Sequence, residues 1–419
     1  MNEQLISILI FLIVMISIVT EKINRTAAAI SGAVLMILTN ILSLEESISY
    51  IDFNTIGLLL GMMIVVSIVK NSGLFEYIAI YTVKKSKGNP WKIMIYFILI
   101  TAILSALLDN VTTVLLIGPL TIVICNLLNI NPVPFLITEI IASNIGGTST
   151  LIGDPPNIMI GSAANLSFMD FIVNLGPVVV IIIISVIFCF KFIYQKDLIT
   201  DCGENVIDEL DAKKSIKDKP LLYKSIIVLF FTLLGFILHS KIHIESSIIA
   251  LSGACVMLLI GKQDVNEVID SVEWTTILFF IGLFIVVGGL SQSGVINNIA
   301  TFLIDITNGN MTLTVFIILW VSAIISSFLD NIPFVATIIP LILTMQAQGL
   351  DVTVLWWATS LGACLGGNGT LVGASANIVI ANIAEKHGYD ISFKKYFYVG
   401  FPIMIITIAI STVYILIRF

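Results

Sequence analysis

The chain has 419 residues, 58% of them hydrophobic and 11% charged, with a mean hydropathy of +1.08 and a formal net charge of −7. A soluble domain carries about 25% charged residues, so the polar surface needed to face water is missing and lipid is the expected solvent. The acidic balance, with no basic field, excludes a nucleic-acid partner. Five scattered cysteines and three dispersed histidines supply neither a disulfide framework nor a metal centre.

A spanning helix needs about 20 apolar residues. In chain order, such runs predict spans at 4–20, 26–43 and 53–70, followed by a loop carrying Lys84, Lys85 and Lys87. The start, MNEQ, has no basic n-region and no small-residue cleavage site follows, so the first run reads as a span rather than a signal peptide. The stretch 91–128 is too long for one span and awkward for two. It is interrupted midway by Asp109, Asn110, Val111, Thr112 and Thr113, which predicts a re-entrant hairpin with its tip in the bilayer. An ionised Asp at that depth costs roughly 3 kcal/mol or more unless paired, which makes Asp109 a candidate ion-binding group. A plain cap on the helix that follows is the structural alternative, and both roles can coexist.

Next comes GGTSTLIGDPPN (146–157), whose glycines and prolines cannot continue a helix without loss. Unwound backbone is tolerated in a membrane where it lines a cavity or is buried in protein. The segment therefore predicts a discontinuous helix. Its carbonyls and the hydroxyls of Thr148, Ser149 and Thr150 could coordinate a cation, and the half-helix starting near Pro156 could face an anion. Close packing through small residues is the bland alternative for the glycines.

A span at 171–194 precedes the only long polar stretch, 195–220, read as a solvated cytoplasmic linker. Spans at 221–238, 244–260 and 274–290 follow, then a second hairpin at 312–347 with Asp330 and Asn331 at its tip. A second break, GGNGTLVGASAN (366–377), and a last span at 396–417 complete the chain.

The two halves, 1–194 and 221–419, align at an offset of 221 residues. FNTI (53–56) meets WTTI (274–277), SG (72–73) meets SG (293–294), LDNV (108–111) meets LDNI (329–332), and Pro119 meets Pro340. A one-residue gap then brings 146–157 onto 366–377. With the N-terminus outside and both hairpins re-entrant, 18 of the 20 basic residues lie in the cytoplasm and only Lys241 and Arg418 lie outside. The lysine-rich loop after the third span lies inside, whereas its equivalent at 291–311 has no lysine or arginine and lies outside. The repeats are thus expected to be inverted, the plan of many secondary transporters. Asp154 breaks the symmetry, because Ala374 stands at its place in the second half. A substrate or proton group need occur only once, so Asp154 joins the candidate site. No GxxxxGK[ST] loop, GxSxG or HExxH motif is present, so no enzyme reading has support.

LLDNVTT (107–113), GGTSTLIGDPPN, LDNIPF (329–334) and GGNGTLVGASAN resemble the ion transporter superfamily, with its citrate-transporter-like domain. That superfamily includes arsenite permeases (ArsB), NhaD-type sodium/proton antiporters, divalent-anion/sodium symporters and P-protein-like members, the last being the nearest in likeness. The resemblance implies an all-α polytopic membrane protein, built of inverted-topology repeats that each hold a re-entrant hairpin and a discontinuous helix. It also implies a homodimer in which a transport domain slides against a scaffold. Dicarboxylate symporters carry Ser-Asn-Thr at the hairpin tips; here Asn110 and Asn331 match the asparagine and the threonine is not kept. The Asp-Asn tips are similar to those of the antiporters, which favours cation coupling at the acids.

The expected function is secondary transport of a small anion or oxyanion-type solute (arsenite- or carboxylate-like) across the plasma membrane, coupled to sodium or protons and needing no cofactor. A sodium/proton antiporter and a passive anion channel are the alternatives. The expected substrate- and ion-binding residues are Asp109, Asn110, Thr112, Gly147, Thr148, Thr150, Asp154, Asn157, Asp330, Asn331, Gly367, Asn368, Thr370 and Asn377, with sodium expected at Asn110, Thr150, Asn331 and Thr370.

Overall fold

The computed structural model describes residues 3–20, 22–195, 198 and 212–419. Most of the predicted linker, 196–197 and 199–211, lies outside the described residues. The rest is helical. The first half runs α1 (Glu3–Thr20), α2 (Arg25–Leu38), α3 (Leu44–Ser49), α4 (Phe53–Asn71), α5 (Leu74–Ser86), α6 (Pro90–Leu107), α7 (Asn110–Leu127), α8 (Val133–Gly147), α9 (Pro155–Ala164) and α10 (Phe168–Ile193). The second runs α11 (Lys219–Ile242), α12 (Ser246–Gly261), α13 (Val265–Asp270), α14 (Trp274–Gln292), α15 (Val295–Thr307), α16 (Met311–Phe328), α17 (Asn331–Ala347), α18 (Thr353–Gly366), α19 (Ser375–Lys386) and α20 (Phe393–Arg418). Among the described residues, nine helices are long and apolar enough to cross a membrane.

The 221-residue offset reaches down to helix boundaries. Adding it to the limits of α3, α4, α5 and α6 gives those of α13, α14, α15 and α16. The packing repeats too, with the halves exchanged: α4 lies on α12, and α14 on α2. A Cβ on Gly61 would stand 2.5 Å from the backbone of Ala250, and one on Gly282 would stand 2.7 Å from that of Ala29. Only glycine lets these two helix pairs approach so closely.

A second group of helices forms around the hairpins. α6 packs on α8 and α16 on α18. The inner arm of each hairpin crosses to the other half, α7 against α19 and α17 against α9. Gly146 and Gly366 sit at equivalent close approaches, where a Cβ would meet Ala102 at 2.2 Å and Ala323 at 2.7 Å.

Two sequence expectations are corrected. The second span stops at Leu38 rather than reaching residue 43, because Thr39 closes the helix and Asn40 turns the chain at φ 57°. The segments after α4 and α14, read as loops, are helices α5 and α15. Gly73 and Lys87, and Gly294 and Asn308, bracket them in left-handed conformation. Phe75, Ala79 and Val83, spaced by four, bury one face of α5.

Candidate functional site

Four helices begin at one buried place. α7 and α17 start at the hairpin tips, and α9 and α19 restart after the two breaks. Each helix N-terminus offers unpaired N–H groups and the positive end of a dipole. At three of the four, the residue before the helix is an aspartate: Asp109, Asp154 and Asp330.

The three acids are held differently. Asp109 Oδ1 accepts from the Thr112 backbone N–H at 2.7 Å, a cap on α7. Asp330 caps α17 through the Ile332 N–H at 3.1 Å, and its Oδ2 accepts from Ser375 Oγ at 2.6 Å and from Arg25 Nη1 at 3.4 Å. Asp154 makes no cap bond. Instead Asn331 Nδ2, from the other half, donates to both its oxygens at 3.2 and 3.3 Å. Asp154 is fully buried; the two tip acids are 8% exposed.

Asparagines tie the halves together. Asn110 Nδ2 donates to Asn144 Oδ1 at 3.3 Å, and Asn144 Nδ2 donates to Asn368 Oδ1 and Asn377 Oδ1, each at 3.0 Å. The carbonyls freed by the breaks are largely taken. Asn157 Nδ2 donates to the carbonyls of Gly147, Thr148 and Thr150, and Asn377 Nδ2 to those of Gly367 and Thr370. The Thr148 hydroxyl donates to Asn144 O, that of Thr150 to Ala106 O, and that of Thr370 to Ser327 O. Each of these oxygens keeps a lone pair. Two buried polar atoms in the centre, Asn110 Oδ1 and Asn368 Nδ2, have no hydrogen-bond partner among the described residues.

The structure thus gathers Asp154, Asn157, Asn331, Asn110, Asn368 and Asn377, with both break backbones around them. Thr112 lies apart: its side chain is half-buried and lines a cavity of about 100 Å³ with Lys70 and Glu273. Two residues of the site were not foreseen. Asn144 stands within α8 at the position where Cys364 stands in α18, and its only sequence signal is an amide inside an apolar run. Arg25 begins α2 and lines a cavity of about 270 Å³ with Asp330 and Ser375. Besides Asp330 it donates to Ser375 Oγ, and its guanidinium lies 5.4 Å from the centre of the Phe279 ring. Its signal was weak: Arg25 and Arg418 are the chain's only arginines among 20 basic residues.

An all-helical chain with two hairpins, two discontinuous helices and a polar centre buried between them has the architecture of a multi-pass membrane transporter. The crystal structure of the Alcanivorax borkumensis YdaH transporter, described as having an unusual topology, has a similar fold, with a TM-score of 0.59 at 13% identity over 88% of this chain and 86% of that one. A 46 kDa membrane protein of Mycobacterium leprae and an uncharacterized transporter of Mycobacterium tuberculosis are each 41% identical over 99% of both chains. The human P protein is 35% identical over 96% of this chain and 58% of its own length. The chain belongs to the citrate transporter family, whose profile matches residues 15–362, and it is a transporter rather than an enzyme.

Proposed function

We propose that the chain is a secondary active transporter of a small carboxylate or oxyanion, carried together with sodium or protons. One observation carries this reading. Among the described residues, the buried centre leaves one amide donor, Asn368 Nδ2, and one amide acceptor, Asn110 Oδ1, without partners, and buried polar atoms are rarely left so. An anion oxygen satisfies the first, and a cation or protonated group the second. Four helix N-termini facing the same place favour the anion. The three acids must then be neutralised by protons or cations before a negatively charged solute shares the site. The family's description, citrate transporter, points to the same carboxylate class.

In this reading Asp109, Asp154 and Asp330 take the coupling cation or proton, and Arg25 releases Asp330 as the site changes state. Asn110, Thr150, Asn331 and Thr370 supply sodium ligands through their free lone pairs. The two repeats are inverted, as the basic residues suggest, with α6–α10 and α16–α20 moving against a scaffold of α1–α4 and α11–α14 in a plasma-membrane homodimer. The three acids against one arginine also support a second reading, a sodium/proton antiporter without an anion substrate.

Proteoliposomes separate the two. Labelled citrate, succinate, arsenite and phosphate are offered with and without a sodium or pH gradient, beside a pH dye. Gradient-driven accumulation of one anion is expected. Full sodium-driven proton movement with no anion present would replace this reading with the antiporter.

A further inference from the structure

One carboxyl outside the centre is as deeply buried as Asp154. Glu139 lies within α8 with no exposed surface, its neighbours Phe135, Leu136, Ile140 and Ile141 all buried and apolar. Its Oε1 accepts from Thr121 Oγ1 of α7 at 2.5 Å, and its Oε2 has no hydrogen-bond partner among the described residues. No described ion pair includes it. The charged groups on the helices packed around α8 do not reach it: Lys92 of α6, Lys191 of α10, and Glu385 and Lys386 of α19 are exposed, and Asp170 of α10 is held by Ser167. Asp109 caps the far end of α7, Tyr96 of α6 is half-buried, and Cys125 of α7 and Cys364 of α18 are buried. None of the lysines among these pairs with Glu139.

A bare carboxylate with one hydroxyl partner is costly in such surroundings, whereas the neutral acid is not. The fold does not demand an acid there, because the equivalent position of the second half is Thr359. A second observation gives the carboxyl a connection. Asn110, Thr113 and Thr121 fall on one face of α7 by helical spacing. Thr113 Oγ1, like Asn110 Oδ1, is buried with no hydrogen-bond partner among the described residues. On α8, Ser143 and Asn144 continue from Glu139 toward the centre, about 7.5 Å along the helix. Ser143 and Asn144 are themselves hydrogen-bonded, so the open positions between the acid and the centre are Thr113 Oγ1 and Asn110 Oδ1, two atoms that a transient water or proton could engage.

We propose that Glu139, with Thr121, is a proton-binding site of this transporter, separate from the acids of the hairpin tips and connected to them along the Thr113 and Asn110 face of α7. The acid releases its proton along that face toward the polar centre and becomes a carboxylate, and it takes one back by the same route. The site stands whether or not the solute is an anion.

Infrared titration of the full chain in lipid vesicles tests this without any solute. The difference between wild type and Glu139→Gln isolates the carbonyl band of the protonated acid. That band is expected to vanish on raising the pH and to shift on exchange into heavy water. Thr121→Val, which keeps the acid, is expected to move the titration midpoint. A Glu139 band that neither titrates nor exchanges over the pH range in which the protein stays folded would overturn the proposal, as would the absence of any such band. If Glu139→Gln does not fold, an unmoved midpoint in Thr121→Val overturns it equally. In proteoliposomes Glu139→Gln is expected to cut proton flux at least tenfold, and an unchanged flux counts against the site. Failure of wild-type anion uptake, by contrast, would remove the proposed solute class and leave the titration standing.

Discussion

Arg25, at the start of α2, donates to Asp330, at the tip of the second hairpin, across 3.4 Å and 305 residues of sequence. The pair joins the helices proposed as scaffold to those proposed to move. Among the described residues no ion pair holds Asp109, and Ser246 stands where the offset places Arg25. One half of the molecule is latched by charge and the other is not.

Arg25→Gln leaves Asp330 with Ser375 but without a cation. Arg25 is 31% exposed and Asp330 8%, so screening reduces the effect, and a loss of about 1 kcal/mol in thermal stability is expected. Arg25→Gln combined with Asp330→Asn is expected to recover part of that loss, since no charge is left unpaired. Thermal unfolding in detergent reads the cycle; simple additivity would show that the pair is not coupled.

The hairpin acids cap helices, so a cap role and an ion role must be separated. Asparagine caps about as well as aspartate, whereas alanine costs about 1 kcal/mol. Asp109→Asn is therefore expected to keep stability and lose or shift sodium or pH dependence of transport. Asp109→Ala should lose both. Full ion dependence in Asp109→Asn, with destabilisation confined to alanine, would leave the cap as the whole role of this residue.

Asn144 is the junction of the asparagine network, donating to Asn368 and Asn377 and accepting from Asn110. Asn144→Leu removes these partners from buried groups, and a cost of about 2–3 kcal/mol is expected. Thermal unfolding measures this, and a wild-type melting point would show that water replaces the amide.

The hairpins and breaks were legible in sequence because they violate the apolar pattern around them. An aspartate midway in an apolar stretch, and Asp154 followed by Pro155 and Pro156, cannot be ordinary lipid-facing helix. The repeat was legible because both halves violate it at the same offset to within one residue. Arg25 and Asn144 were not legible, because their meaning lies in partners far away in sequence. Arg25 lies three residues after Lys22 and reads as one more residue of a basic flank until the chain folds back to bring Asp330 beside it. Helices α5 and α15 escaped because each is only 13 residues long, shorter than a span, and follows directly on a glycine.

The inverted arrangement rests on the distribution of basic residues and has a direct check. Single cysteines placed near Lys87 and near Asn310, in a cysteine-free background, are expected to react with an impermeant reagent from opposite sides of the membrane. Reaction of both from one side would show parallel repeats and remove the alternating-access reading built on inversion.

Ser162 in α9 donates to Asp52 Oδ1 at 3.0 Å and accepts from Asn54 Nδ2 at 3.2 Å, while Asn54 Oδ1 accepts from the Ser247 N–H at 3.1 Å. This is a polar contact between the proposed scaffold and the proposed moving group, on the side of the first half. If α9 travels with the hairpins, the contact must break once in every cycle. Ionised acids cannot move through lipid cheaply, so the moving group should leave only after Asp109, Asp154 and Asp330 are neutralised by bound proton or cation. Asn54→Cys with Ser162→Cys, in a cysteine-free background, is expected to cross-link under mild oxidation, stop transport and still bind solute. Reduction of the disulfide should restore the rate. Cross-linked protein that transports at the normal rate would mean that α4 and α9 do not move relative to each other, and a fixed pore would then describe the molecule better than alternating access.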